Sequence, residues 1–502
     1  MSRQQRLTLV ATILGSTVVF LDSTVVNVAL PSIAQGLNAG LAGQQWVVEA
    51  YMLTLVSLLL VGGSLGDQFG RRRMFVAGLV GFGVTSALCA LAPTVEVLVA
   101  ARALQGIAGA LLVPGSLAIV AASFEGAARG KAVGTWTAWT GIATVIGPAG
   151  GGALIGATSW RAIFWVNLPL IAATVALTLH SVRESRDPDA FHGIDWLGIA
   201  LSAAGLGGPV FALIEQPARG WSDPVVWLSF VAGIACLALF VAREARTAHP
   251  LLDLGLFRIR NFAVANLTTL ATYAGLIGGL FFVGLYLQQV AGYSPLEAGL
   301  ATTPISLLLF ALSPRWGKLA SGSGPRLPMT AGPIVGGIGL LLLLRVNANA
   351  DYATEVLPAI LVFGLGLSAT VAPLTATVLD SVEERHVGIA SGVNNGISRV
   401  AGLLAIAVLG AVISARFAAI AGGDVSGGPL TAQTAAASTS AFHLGIGIAG
   451  ALMIAGGIVS GFGIENRRQA VEAIPTRGAA TAGECGHGAD ADCGKTPAPE
   501  PA

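Results

Sequence analysis

The chain has 502 residues, of which 54% are hydrophobic and only 11% charged, with a mean hydropathy of +0.76. Soluble domains carry about 25% charged residues, so this composition excludes an ordinary soluble fold and predicts a surface that faces lipid. The net charge of +1 gives no basic surface for nucleic acid.

A membrane-crossing helix needs about 20 apolar residues, and fourteen segments qualify. They cover roughly 7–30, 45–65, 75–92, 97–121, 132–156, 162–179, 196–214, 225–242, 262–290, 298–314, 327–344, 356–379, 387–413 and 442–464. The first is too long for a cleavable signal peptide and lacks a cleavage site. An all-α, polytopic membrane bundle follows, because lipid cannot satisfy a free backbone and a barrel would need short alternating strands.

The first segment carries Leu21-Asp22-Ser23-Thr24-Val25-Val26-Asn27-Val28-Ala29-Leu30-Pro31. Asp22 stands about fifteen residues into it, where a carboxylate costs several kcal/mol and normally faces a cavity. Burial favours the protonated form of a carboxyl, so such a group suits proton uptake and release. The other reading is a hydrogen bond to neighbouring helices. The second segment opens on Trp46-Val47-Val48-Glu49-Ala50-Tyr51. Glu49 is either a second cavity acid, near the outer end with Asp22 a little deeper, or a carboxylate reaching outer water.

The second and third segments are joined by Gly62-Gly63-Ser64-Leu65-Gly66-Asp67-Gln68-Phe69-Gly70-Arg71-Arg72-Arg73. A short loop this rich in arginine marks the cytoplasmic side, and Asp67 with Arg71 also reads as a plain loop ion pair. The fourth segment carries Arg102, Gln105, Gly106 and Gly109. Arg102 enters from the outer side at a depth near that of Asp22 and Glu49, where an arginine favours ionised carboxylates; it is a coupling partner or a structural ion pair. The glycines let helices approach closely. The fifth holds Gly141, then Gly147-Pro148-Ala149-Gly150-Gly151-Gly152, a proline kink beside a smooth glycine face. The thirteenth carries Asn394, Ser398 and Arg399, which line a cavity or merely hold the arginine among carbonyls.

Residues from about 465 turn polar and rich in Pro, Gly and Ala, a disordered composition. Cys485, His487 and Cys493 there fit no standard zinc spacing. Cys89 and Cys236 lie in apolar segments, so no disulfide framework is implied. The segment 416–440 reads as a flexible outer loop. No phosphate-binding loop motif is present, so neither nucleotide, cofactor nor metal is expected.

Counting bases fixes the orientation. Twenty-one of the 27 Lys and Arg residues fall on the side of the amino terminus if fourteen spans are threaded, four fall on the other, and Arg102 and Arg399 lie within helices. This predicts both termini in the cytoplasm. The spacing Gly63-x-Leu65-x-Asp67-x-x-Gly70-x-Arg72 recurs as Gly317-x-Leu319-x-Ser321-x-x-Gly324-x-Arg326, and Pro114 with Gly130 is echoed by Pro373 with Gly388. Two six-helix halves related by an axis along the membrane normal explain the echo. The expected domains are 1–183, two linking helices in 195–244, a second half in 256–464, and a cytoplasmic tail 465–502.

Four of these motifs resemble those of the major facilitator superfamily, and the 6+2+6 layout resembles its fourteen-helix drug:proton antiporters. Gly63, Asp67, Gly70, Arg71 and Arg72 match the signature loop, whereas Gln68 departs where the family usually has a base. The Asp22–Pro31 stretch is similar to the first-helix motif, Arg102, Gln105 and Gly106 to the fourth-helix motif, and Gly141, Gly147, Pro148, Gly151 and Gly152 to the fifth-helix motif of exporters. Glu49 stands where many members have a neutral residue.

The resemblance covers roughly residues 7–464. It implies a major facilitator fold in a bacterial inner membrane, a non-enzymatic transporter, and proton-coupled export of lipophilic small molecules by alternating access. Asp22, Glu49, Arg102, Gln105, Asn27, Arg399 and Asn394 are the expected proton or substrate residues. The loop is the expected latch on the cytoplasmic side and the fifth helix the expected hinge. A proton symporter that imports a nutrient, a membrane-embedded enzyme and a transporter-like sensor without flux are the alternatives; no catalytic cluster of His or carboxylates supports the enzyme. Partners are a small molecule, protons and the bilayer, with no nucleic acid. Substrate identity and charge, drug, lipid, sugar or antibiotic, stay open.

Overall fold

The computed structural model describes residues 1–186, 195–247, 254–383, 387–421 and 434–466. The readings of the tail, including Cys485, His487 and Cys493, and of most of the loop 416–440 lie outside these residues.

The described chain is built from helices, α1 (Arg3–Leu37), α2 (Leu41–Phe69), α3 (Arg71–Leu91), α4 (Val95–Ser123), α5 (Gly126–Ala157), α6 (Ala162–Ser181), α7 (Trp196–Arg219) and α8 (Pro224–Glu244). They continue with α9 (Arg260–Gln289), α10 (Pro295–Ser323), α11 (Arg326–Arg345), α12 (Tyr352–Asp380), α13 (Val387–Ala421) and α14 (Ala435–Gly463). Each is long and apolar enough to cross a bilayer, with α2 counted as one span bent by 51° after Leu59. The glycine pair Gly62-Gly63 beside the bend removes the side chains that would stiffen it.

Local chemistry sets the ends. Ser2 with Gln5 and Ser294 with Glu297 form reciprocal capping boxes on α1 and α10, which satisfy otherwise orphaned amides. Asp195 caps α7 and is clasped by Arg243 of α8 at 2.8 Å. Arg243 beside Asp195 holds its carboxyl below the usual carboxylate range.

The third helix starts earlier than the apolar run suggests. It begins at Arg71, joined to α2 by Gly70 alone, so the three arginines form its first turn rather than a loop. Arginine is a good helix former, and its charge hid the turn from a reading based on hydropathy. Gly70 has φ 111° and Gly324, between α10 and α11, has φ 92°, a region that favours glycine.

Helices α1 and α14 begin and end at one face of the bundle, here the near end. At the far end, one core joins the first six helices to the last six: Leu30, Ile33, Val47, Leu98 and Trp160 pack in one cluster with Phe281, Tyr286, Leu340, Phe363 and Phe442. At the near end the cores are separate. Val19, Phe75, Phe82 and Leu112 form one, and Phe262, Met329, Leu374 and Val393 another. Gln45 Nε2 donates to the Ile406 carbonyl at 2.7 Å and Gln289 Nε2 to Gln44 Oε1 at 2.9 Å, both at the far end. Among the described residues, the packing between the first six and the last six helices therefore lies at the far end, and the near-end cores stay apart. The α7–α8 hairpin lies against α2 and α13, where Leu206, Val210 and Ile214 meet Leu403, Ala407, Trp46 and Leu53.

Candidate functional site

Asp22 lies about five turns into α1 and is 3% exposed. Its Oδ2 accepts a hydrogen bond from Arg102 Nη1 at 2.5 Å. Its Oδ1 accepts from Gln105 Nε2 and from Asn167 Nδ2, both at 3.3 Å. Arg102 and Gln105 share one face of α4, being three residues apart, and Arg102 Nη1 also donates to Gln105 Oε1 at 2.7 Å. Arg102 Nε donates to the Val47 carbonyl of α2 at 3.1 Å, and its guanidinium lies 4.2 Å from the centre of the Tyr51 ring. Asn167 donates further to Ser86 Oγ at 3.1 Å, and Cys89 Sγ approaches Gln105 Oε1 at 3.5 Å. One carboxylate therefore ties together α1, α2, α3, α4 and α6.

A buried ion pair survives only when its remaining donors and acceptors are satisfied, and here both carboxylate oxygens are. Removing the charge on Asp22 would release Arg102 from α1 while leaving it bound to α2 and within α4. Tyr51, Ser86, Cys89 and Asn167 were not singled out by the sequence. Asn167 carries the one usable signal, an amide inside an apolar segment.

The other expected residues fall elsewhere. Glu49 is fully buried, and neither carboxylate oxygen has a hydrogen-bond partner. Its helical spacing explains this. Ala42, Trp46, Leu53 and Val56 form the seam of α2 that packs on α7 and α13, and Glu49 lies on that seam, away from the face that meets α4. Asn27 lies farther along α1, half-buried, its Oδ1 without a partner. Asn394 donates to Thr269 Oγ1 at 2.7 Å and Asn266 Oδ1 at 3.1 Å, a polar network within the last six helices. Arg399 is half-buried on α13.

The glycine-rich end of α5 sits at the far-end closure. A Cβ on Gly152 would collide with the Pro295 carbonyl oxygen of α10, and one on Gly299 with the Pro148 carbonyl oxygen. Gly147 and Gly151 meet Thr24 and Val25 of α1, on the turn next to Asp22. Gly141 has open space beside it. At the near end, Asp67 and Arg71 pair at 2.8 Å, and Gly63 lies in ordinary contact with Pro114. Glu184, after α6, caps the link: its Oε1 accepts from the Arg72 amide at 3.0 Å.

Membrane-length helices around one buried acid–arginine pair define a polytopic membrane protein. The model of the Major Facilitator Superfamily matches residues 12–406, and the chain belongs to that superfamily. It is a transporter, not an enzyme. The chain is 37% identical over 421 residues to the multidrug resistance protein Stp of Mycobacterium tuberculosis, covering 84% of this chain and 78% of that protein. It is 35% identical over 412 residues to the tetracenomycin C resistance and export protein of Streptomyces glaucescens, covering 82% and 76%. With the multidrug efflux pump LfrA of Mycolicibacterium smegmatis it shares 35% over 422 residues, covering 84% and 82%.

Among solved structures, a bacterial homologue of the lysosomal transporter Spinster, inward-facing and unoccupied, superposes with a TM-score of 0.65 at 14% identity, covering 92% of this chain and 97% of that one. A peptide transporter superposes with 0.64 at 13%, covering 89% and 94%. These two support the fold alone.

Proposed function

We propose that this protein is a proton-coupled exporter of lipophilic small molecules in a bacterial inner membrane, with both termini cytoplasmic. The near end is then the cytoplasmic side, and the bundle stands open to the cytoplasm. The halves 1–183 and 256–464 rock about the far-end contact, with the 195–244 pair as linker. The relatives' names, which speak of multidrug resistance and export, support the direction.

The observation that carries the reading is the buried Asp22–Arg102 pair directly beside the helices that close the far end. A proton on Asp22 cancels the charge that holds Arg102 to α1. Arg102 stays attached to Val47 and Gln105, so α2 and α4 can move relative to α1. Because Gly147 and Gly151 pack on the turn of α1 next to Asp22, that freedom reaches the α5–α10 closure. Loss of the proton restores the pair. In this reading Glu49 is a second acid, Gly141, Gly147, Pro148, Gly151 and Gly152 form the hinge, and Gly63, Asp67, Gly70, Arg71 and Arg72 latch the near end.

The test is proton flux in proteoliposomes with an imposed pH gradient, using ethidium and fluorescein as probes and comparing the unaltered protein with Asp22→Asn. Probe-dependent proton release that falls tenfold or more in Asp22→Asn, at an unchanged melting temperature, supports the reading. Probe movement that ignores the gradient overturns proton coupling. Flux of equal size in Asp22→Asn makes the pair structural and moves the test to Glu49→Gln. Net uptake of probe with the proton would mark a symporter.

A further inference from the structure

Two arginines lie at depth in the helices, and their surroundings are opposite. Arg102 is saturated by Asp22, Gln105, Val47 and the Tyr51 ring. Arg399 has no ion-pair or hydrogen-bond partner among the described residues, although it lies about a third of the way along α13. A bare guanidinium at this depth costs several kcal/mol unless water or a ligand reaches it.

Its position supplies the access. Residues 392, 395, 396, 399, 406 and 410 share one stripe of α13 by helical spacing. At the far end this stripe meets α2, where Gln45 lands on Ile406 and Gly410. Toward the near end, where the two cores part, the stripe is Arg399, Gly396, Asn395 and Gly392. Asn395 is exposed, and a Cβ on Gly396 would meet nothing within 4 Å. The α2 contact of Ile406 and Gly410 on the same stripe places Arg399 on the side of α13 that faces α2. Of the two carboxyl groups on that helix, Asp67 pairs with Arg71 and Glu49 is buried with no partner, so neither pairs with Arg399.

We propose that the stripe around Arg399 is a substrate subsite for the acidic head of an organic anion, a carboxylate or an ionised phenol on an apolar body. This deepens the export reading and rests on it. Arg399 supplies a planar pair of donors suited to such a head, Asn395 adds an amide one turn away, and the open space beside Gly396 leaves room for the body.

The experiment measures binding of fluorescein, an anion, and ethidium, a cation, to the purified full-length protein by fluorescence anisotropy, with transport of both in proteoliposomes. Arg399→Gln is expected to lower the ratio of fluorescein to ethidium affinity about tenfold or more, the usual scale for a charge-assisted hydrogen bond. Arg399→Lys, which keeps the charge and loses the fork, is expected to fall between. Melting temperatures and ethidium binding separate this from misfolding. An unchanged ratio in Arg399→Gln overturns the subsite. An unaltered protein that moves ethidium but neither binds nor moves fluorescein or salicylate also overturns it, and leaves the export reading standing. If neither dye is moved, the export reading fails and the subsite with it.

Discussion

The two near-end links of this molecule share a backbone and differ in charge. Gly70 and Gly324 both close a long helix with positive φ, and the next helix opens directly after Gly70 in the first link and after Pro325 in the second. Each is capped by a residue three positions past the last helix of its group, Glu184 for the first and Asn466 for the second. Glu184 Oε1 accepts from the Arg72 amide at 3.0 Å, and Asn466 Oδ1 accepts from the Arg326 amide at 3.1 Å. The first cap is a carboxylate among Arg72 and Arg73, with Asp67 and Arg71 paired one turn away. The second is a neutral amide, and Ser321 replaces the acid. The repeat conserves what the backbone needs, a left-handed glycine and an acceptor over the next helix. It does not conserve charge, so the charged set in the first link serves something other than making the turn.

The largest effect separates shape from charge. Gly70→Ala and Gly324→Ala each force a side chain into a backbone region that costs of order 1–3 kcal/mol. Each also drives a Cβ into its cap, 2.7 Å from Glu184 Oε1 in the first case and against the Asn466 side chain in the second. Both variants are expected to melt at lower temperature, and Gly70→Ala by more, because it also displaces a carboxylate from a helix amino terminus that carries three arginines. Equal losses would show that the cap's charge adds nothing to the first link.

Removing the caps is the next step down. Glu184→Ala takes away a charged acceptor on the Arg72 amide, worth about 1.5–3 kcal/mol where hydrogen bonds to charged groups are concerned. Its contacts with Arg72 and Arg73, 3.9 and 3.7 Å, add little because they are long and the side chains are partly exposed for Arg72 and largely exposed for Arg73. Asn466→Ala removes a neutral cap, about 1 kcal/mol. Thermal melting of the two purified variants tests the order, and a larger loss for Asn466→Ala would reverse the assignment of the first link as the stronger.

Much of this was legible in the sequence, for a physical reason. Asp22 and Arg102 stand out because ionisable groups inside apolar runs are expensive, and Gln105 follows at helical spacing on the face of Arg102. The repeat of the two links was legible because it rests on glycines with one permitted backbone. Their caps were not, since Glu184 and Asn466 lie far along the chain and look like ordinary polar residues after a helix. The depth of Glu49 could be counted, but its facing depends on α7 packing against α2. Asn167 escaped because a neutral amide perturbs hydropathy far less than a charge does. The meeting of Gly152 with Pro295 and of Gly299 with Pro148 is a contact between distant segments, and nothing local encodes it.

The smallest stability effect makes the sharpest functional test. Asp67→Ser gives the first link the residue that Ser321 provides in the second. The Asp67–Arg71 pair is partly exposed, 35% and 18% for the two side chains, and such pairs contribute about 0–1 kcal/mol. The melting temperature should therefore hardly move. If Asp67 is part of a latch that forms when the near end closes, the variant loses a contact absent from this near-end-open state, and efflux should drop severalfold while substrate binding is retained. The reciprocal Ser321→Asp should leave efflux close to the unaltered level, since Gly324 is capped by a neutral amide and its link opens the next helix with Arg326 alone where the first opens with Arg71, Arg72 and Arg73. Equal efflux in both variants would mean that the charges of the first link mark topology and nothing more. A fall in both would mean that the two links act as a symmetric pair, and that charge is tuned against its setting in each half.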